Sequence, residues 1–371
     1  MNFLISDIIN YLVILLLLFF LFQKKYLDIN LTILLALTSA STFFMFGFLF
    51  EANDKYFGDA DFYQWSVIKA RFFEYEKLYW TVDIRTSSIL YSFIPIPLLD
   101  SPNSLGFICK FIFICIIAYL NKNLKIDKIY IYLLILYPSG VLYTGIGLKD
   151  TLVLLLMVLS LTGIIKNNYF LIFIPLILLI IVKTQNALII GIVILSYNLL
   201  CKKNISLFLL QLSILLILCI PFADKILEYM TYKELNRIYS YFLHLEGISI
   251  DAIKPLRDNI FIIFDILKGN IPFFFKPFIL DQKNNFFETF QAFENFLIVI
   301  FTFILFIILA QKNIYRCIFW YSHLFFAGGL YGLVVSNAGS LVRYKFAIII
   351  SFFIVMLYDF KINVDNKIKK I

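Results

Sequence analysis

Apolar positions along this chain neither alternate nor settle into a one-sided helical stripe. They come in long unbroken runs separated by short turns that carry lysine. A helix that is apolar all round is buried, and in runs of this length the medium is lipid. We place such runs at about 3–22, 32–50, 104–120, 129–147, 150–165, 169–182, 186–200, 206–222, 292–310, 317–335 and 346–360. Several are near 15 residues, short of the roughly 20 that a full crossing needs. The expected fold class is an all-α polytopic integral membrane protein, with about eleven transmembrane helices in a single transmembrane domain over residues 1–371. A transmembrane β-barrel would show alternating segments of roughly ten residues instead. The first run lacks the basic start and small-residue cleavage site of a signal peptide, so we read it as a retained span.

Two longer stretches interrupt the runs, at about 51–103 and 223–291. In the first, Phe62, Trp65, Ile68 and Phe72 recur at helical spacing after Asp61. That pattern predicts an amphipathic helix lying on the membrane surface. The apolar segment from Ile89 to Leu99 holds Pro95 and Pro97 and is too short to span. It can dip into the membrane only if other helices cover its backbone. In the second stretch, Ile226, Met230, Ile238, Phe242 and Leu245 fit one helical face, and Pro272–Phe278 reads as an interfacial aromatic anchor. No internal repeat is visible, so the inverted-repeat signature of many transporters is missing.

Composition sharpens this by exclusion. Hydrophobic residues make up 62% of the chain and charged ones 15%, against roughly 45–50% and 25% in soluble domains. A soluble two-domain enzyme, a disordered chain and a secreted disulfide scaffold are thereby excluded. The five cysteines lie in or beside apolar runs without a CxxC pair, and two histidines are too few for a His-rich metal site. The net charge of +8 suggests no nucleic-acid partner, because it is carried by the turns. Fourteen cations fall on one side if the N-terminus is outside and the C-terminus inside: Lys24, Lys25, Lys122, Lys125, Lys128, Lys166, Lys202, Lys203, Lys312, Arg316, Lys361, Lys367, Lys369 and Lys370. Only Asp28, Asp127, Asp359 and Asp365 accompany them. The positive-inside rule then makes both long stretches outer loops.

Candidate chemistry lies on that outer side. Asp59 and Asp61, in Gly58-Asp59-Ala60-Asp61-Phe62-Tyr63, are two carboxylates two residues apart. They can converge on one sugar hydroxyl as a general base, or one of them caps the helix that follows. A divalent cation between them is the one cofactor the pattern admits, and nothing else in the sequence calls for it. Tyr137-Pro138-Ser139-Gly140 and Gly147-Leu148-Lys149-Asp150 form an outer turn. Lys149 and Asp150 are there either as a substrate-binding pair or as a pair snorkelling to the interface. The last outer turn, Ser336–Lys345, carries Arg343 and Lys345, and Arg343 is suited to hold a phosphate through two parallel hydrogen bonds. With Lys183 they place cations in short outer turns, against the orientation bias, where a diphosphate at membrane depth would need them. Arg257 and Lys276, in the second loop, are weaker candidates for an anionic head group, since most charges in such loops are simply solvated. Glu294 and Asn295 lie at the mouth of the ninth run, and His323, within the tenth, reads as a packing residue.

The GDADFY, YPSG…GLKD, KPF…FENF and SNAGSLVRYK segments, on a body of many spans with two large outer loops, resemble the bacterial O-antigen and capsular polysaccharide polymerases. The early Asp-x-Asp equally resembles GT-C-type transferases, which use a first-loop carboxylate as base. The first resemblance implies a polymerase in the bacterial inner membrane, joining polyprenyl-diphosphate-linked repeat units at the periplasmic face. It implies membrane lipid and a chain-length regulator as partners. Asp59 or Asp61 would then be the base, and Lys149, Arg343 and Lys345 the diphosphate ligands. The second implies addition of one sugar from a polyprenyl phosphate. A lipid-linked glycan flippase or transporter, and a scaffold subunit of an export machine, are the non-enzymatic alternatives.

Overall fold

The structure, a computed structural model, describes residues 3–45, 60–75, 82–101, 103–201, six positions between 205 and 213, 261–278, 286–335 and 338–368. Of these, 87% are helical and none lies in a strand. The chain divides into two compact units, residues 1–156 with 181–183, and residues 157–180 with 184–371. Among the described residues five helices are long and apolar enough to cross a membrane: Leu4–Gln23, Ser104–Leu124, Thr184–Cys201, Thr289–Lys312 and Leu341–Ile362. A sixth crossing is reached if the bent pair Pro138–Gly145 and Asp150–Lys166 counts as one. Ile29–Met45 and Tyr169–Val182 are apolar but shorter. The eleven expected runs thus mostly coincide with helices, while fewer have the length of a span.

The first unit begins with α1 (Phe3–Gln23), α2 (Ile29–Ala40) and the short α3 (Thr42–Met45). Leu12, Leu16, Phe19 and Phe20 stand exposed along α1, an apolar strip that water would not tolerate at this length and lipid would. Its first turns are different. Ser6, Asp7 and Asn10 are buried and reach the segment that leads into the next span. Asp7 accepts from Ser101 Oγ and, at 2.8 Å, from Asn103 Nδ2. Asn10 Nδ2 donates to the Leu98 carbonyl at 2.8 Å.

The expected amphipathic helix is α4 (Ala60–Arg71), followed by α5 (Val82–Ser92). Its packed face is not the one the aromatic spacing marks: Tyr63, Ser66, Val67 and Ala70 are buried, while Phe62, Trp65 and Phe72 are exposed. The aromatic face is therefore left for an outside medium, as an interfacial helix requires. After α5 the chain runs without regular secondary structure through Pro95 and Pro97. Proline supplies no N–H, and the carbonyls of this stretch are met by side chains. Arg71 donates to the Ile94 and Ile96 carbonyls, and Gln64 Nε2 to Leu99 and Ser101 at 2.7 and 2.9 Å. That cover is what a non-helical segment at membrane depth needs.

Next come α6 (Ser104–Tyr119), prolonged by a π turn over Leu120–Leu124, then α7 (Lys128–Leu136), α8 (Pro138–Gly145) and α9 (Asp150–Lys166). The run expected at 129–147 is thus divided at Tyr137, because Pro138 starts a new helix where its missing N–H is harmless.

The second unit takes in the later part of α9, most of α10 (Tyr169–Val182), α11 (Thr184–Ser196) with a π turn over Tyr197–Cys201, and α12 (Phe261–Phe275). It continues through α13 (Phe286–Lys312), α14 (Ile314–Val334) and α15 (Ala338–Ile368). Helices α12 and α14 meet backbone to backbone: a Cβ on Gly332 would lie 1.8 Å from the Gly269 carbonyl oxygen. Small residues permit such an approach, the usual device of helix association in lipid. Part of the stretch expected as the second loop is therefore packed, with Phe273 and Phe274 buried and Phe275 and Phe278 exposed. At the other end of α14, the buried Asp359 of α15 accepts from Arg316 (2.6 Å), Tyr197 (2.6 Å) and Trp320 (2.9 Å). The carboxylate is compensated by a cation and two neutral donors, as a buried charge must be.

Candidate functional site

In the first unit the polar chemistry gathers where α8 stops and α9 starts. The two axes differ by 115° across residues 146–149. The break lies against α6 at van der Waals distance. A Cβ on Gly106 would stand 2.1 Å from the Gly145 oxygen, and one on Gly147 2.0 Å from the Leu105 Cβ. Every residue from Tyr143 to Leu154 is buried, so the open backbone must be satisfied from within. Tyr91 donates its hydroxyl to the Leu148 carbonyl at 2.7 Å, and the Cys109 thiol reaches the same oxygen at 3.4 Å. Lys110, only 1% exposed, donates to the Val141 carbonyl at 3.1 Å and to Thr144 Oγ1 at 2.9 Å. It thus sets a cation on the C-terminal turn of α8, the negative end of that helix. Lys149 and Asp150 are buried at the mouth of α9, with Asp150 in electrostatic range of Tyr91 and Cys109. Lys183, between α10 and α11, is buried as well.

The second unit has its own cluster where α12 ends. The Lys276 carbonyl accepts from Asn295 Nδ2 at 2.9 Å and from Lys345 Nζ at 3.3 Å, and Lys345 Nζ also donates to Asn295 Oδ1 at 2.7 Å. Lys345 is 1% exposed. Glu294, buried one position before Asn295, attracts the ammonium, and the Phe273 ring centroid is 6.0 Å from it. Arg343 is buried two residues earlier, with its guanidinium 5.3 Å from the centre of the Tyr344 ring. Tyr344 packs on Tyr331, whose hydroxyl donates to Asn186 Oδ1.

The expected site residues therefore fall into groups. Lys149, Asp150 and Lys183 belong to the first unit, and Lys276, Arg343 and Lys345 to the second. Asp61 sits in the first turn of α4. Asp59 and Arg257 lie outside the described residues. Among the described residues no three His, Cys, Asp or Glu side chains come together as a metal cluster. His323 bonds Phe319 O at 2.7 Å through Nδ1 and Ser196 Oγ at 2.8 Å through Nε2, a packing arrangement.

Sequence reasoning passed over Lys110 and Asp7, although the signal was there. An ionisable residue within an apolar run is a functional candidate by default, and each is the one charged residue in its run. No protein-family model, no curated protein and no solved structure matches the chain.

Proposed function

We propose that this protein is a membrane glycosyltransferase acting on polyprenyl-diphosphate-linked glycans, and that it joins their oligosaccharide repeat units as a polymerase. The observation that carries the reading is the burial of basic side chains on the side assigned outer: Lys149 and Lys183 at breaks between helices, and Arg343 and Lys345 early in α15. Buried cations at such depth are costly unless an anion or oxygen ligands meet them. Lys345 has three ammonium donors, and the Lys276 carbonyl and Asn295 take two of them. A phosphate oxygen suits the third.

In the proposed reaction an acceptor sugar hydroxyl attacks the anomeric carbon of the donor. The new glycosidic bond forms as the bond from that carbon to the diphosphate oxygen breaks. The hydroxyl proton passes to Asp59 or Asp61, and the cations take up the charge released on the departing diphosphate. One observation favours the single-sugar transferase as a second reading: Asp61 lies in the first turn of a helix whose exposed face is aromatic. Analysis of lipid-linked glycans in a strain lacking the protein tests these readings. Single repeat units accumulating outside support the polymerase. Truncated repeats favour the one-sugar transferase. Single repeats trapped inside would make it a flippase and overturn the enzymatic reading.

A further inference from the structure

Helix α12 ends in a carbonyl that two buried side chains share. Lys276, one residue beyond Phe275, accepts at its oxygen from Asn295 Nδ2 at 2.9 Å and from Lys345 Nζ at 3.3 Å. The last carbonyls of a helix lack N–H partners, and a cation there meets the negative end of the helix. Capping α12 would account for Lys345 if the ammonium made only that bond. It makes a second, to Asn295 Oδ1 at 2.7 Å. One amide thus holds the carbonyl through its nitrogen and the ammonium through its oxygen. Asn295 is 3% exposed and Lys345 1%. The amide is a telling choice. A carboxylate in its place would accept the same bond and form an ion pair with Lys345, whereas the amide fixes the ammonium and leaves it charged toward another anion. Glu294 attracts the same ammonium from one position earlier, which favours a cation at this depth. Phe275, Phe293 and Phe296 are exposed on the segments that carry the cluster, an apolar surface for the chain of a lipid that brings the anion.

We infer that Asn295 is a positioning residue, whose neutral amide holds the Lys345 ammonium for the diphosphate of an isoprenyl-linked donor. The inference rests on the glycosyl-transfer reading for the identity of that donor. Within that reading it names the residue that places the cation.

The test uses the purified full chain in detergent, with farnesyl diphosphate titrated in while thermal unfolding is followed. Farnesyl diphosphate should raise the unfolding temperature of the unaltered protein, and inorganic pyrophosphate should do so less. Asn295→Asp and Asn295→Ala then separate two roles. Aspartate keeps an acceptor for Lys345 and pairs with it, so a purely structural role makes it the milder change. Positioning for an anion makes it the worse one. Asn295→Asp should weaken the apparent affinity for farnesyl diphosphate about ten- to a hundredfold, and more than Asn295→Ala does. In a Lys345→Met background, Asn295→Ala should lower the residual affinity no further, because the amide acts through the lysine. That cycle decides the matter if Asn295→Asp does not fold. An aspartate variant that binds at least as well as the alanine variant would overturn the inference, and so would an additive cycle. No response to farnesyl diphosphate would do the same, as would an equal response to pyrophosphate, which would make a free anion the ligand. The glycosyl-transfer reading fails separately. Farnesyl diphosphate bound in this ranking by a protein that transfers no sugar would leave the site and remove the enzyme. Sugar transfer unaffected in every variant would do the reverse.

Discussion

A lysine inside an apolar helix must find oxygen or lose its charge, and Lys110 finds it on the last turn of α8. Helix C-termini leave carbonyls without N–H partners, so this one side chain satisfies itself and the neighbouring helix end together. Lys110→Met keeps the length of the side chain and removes the ammonium. Thr144 retains the Gly140 carbonyl as acceptor, whereas the Val141 carbonyl loses its cationic donor. The expected loss is about 1.5–3 kcal/mol, the usual worth of a charge-assisted hydrogen bond. Unfolding in a mixed-detergent titration measures it, and a Met variant as stable as the parent would show that the ammonium contributes nothing. Arg343 is argued on different grounds, because its partner in the proposed reaction is a substrate. Arg343→Lys keeps the charge and loses the planar fork, so bidentate binding of a diphosphate should weaken. Arg343→Ala should lower the apparent donor affinity about ten- to a hundredfold. A donor titration with purified variants in lipid decides this: unchanged affinity and turnover in Arg343→Ala would remove Arg343 from the site.

At the scale of single helices, Asp28 shows how one residue both starts an element and ties it to another. Its carboxylate accepts the Leu31 N–H at 2.9 Å as the N-cap of α2 and pairs with Lys128. Burial alone would raise its pKa, but the Leu31 and Asn30 N–H groups and the Lys128 ammonium outweigh this and hold it below the ordinary value. Because the folded value is the lower one, the contribution is present above the unfolded pKa of about 3.9 and fades as pH falls through the folded value. Asp28→Ala should cost roughly 0.5–2 kcal/mol, the range for a lost cap. Asp28→Asn keeps the cap and should cost less, since the pair it loses is largely exposed. Comparing unfolding midpoints of the two variants at pH 7 and pH 3 tests this. A gap between the parent and Asp28→Asn that is as wide at pH 3 as at pH 7 would refute the linkage. Elements of this kind were legible in the sequence because apolar runs and helix-start residues are local signals. The breaks were legible only in part. Pro138 and the glycines announced a disturbance, but the 115° bend between α8 and α9 depends on α6 pressing Gly106 against Gly145, a contact distant in sequence. For α4 the sequence marked the face left exposed and carried no signal for the packed one. Phe62 and Trp65 mark its aromatic face, and that face is the exposed one, while Tyr63, Ser66, Val67 and Ala70 are buried. The candidate site was legible as residue types near helix ends, but the turn expected over Ser336–Lys345 is helical from Ala338, which puts Arg343 and Lys345 inside α15. The pairing of Lys345 with Asn295 and the Lys276 carbonyl was not legible, because it joins the end of α12 to side chains within α13 and α15, and Lys345 is 69 residues from Lys276 in the chain.

At the scale of the whole molecule, the charge pattern makes a claim that each unit meets internally. In the first unit, the turns at 24–28 and 121–128, both assigned inside, are bonded to one another. At the other end of α1, Asp7 and Asn10 hold residues 98–103, which were assigned outside. In the second unit, Lys166 lies 5.5 Å from the Tyr358 ring centroid, and Arg316 and Tyr197 meet at Asp359, all segments assigned inside. At the opposite end of α14, Tyr331 meets Asn186. Lys276, Asn295 and Lys345 gather at the segments assigned outside. Within each unit, segments assigned to one side gather at the same helix ends, an arrangement that either orientation of the whole set would give. The prediction that follows concerns the orientation itself. Reporter fusions after Phe57 and after Glu246 should behave as periplasmic, and fusions after Lys25 and after Lys125 as cytoplasmic. Substituting one exposed lysine should not invert this, because the bias is spread over fourteen cations and counted across all turns near the spans. A cytoplasmic signal from the Phe57 or Glu246 fusion would place the Asp59–Asp61 pair or the second loop on the nucleotide-sugar side of the membrane. The lipid-linked donor would then lose its rationale, and the proposed chemistry would fall with the topology.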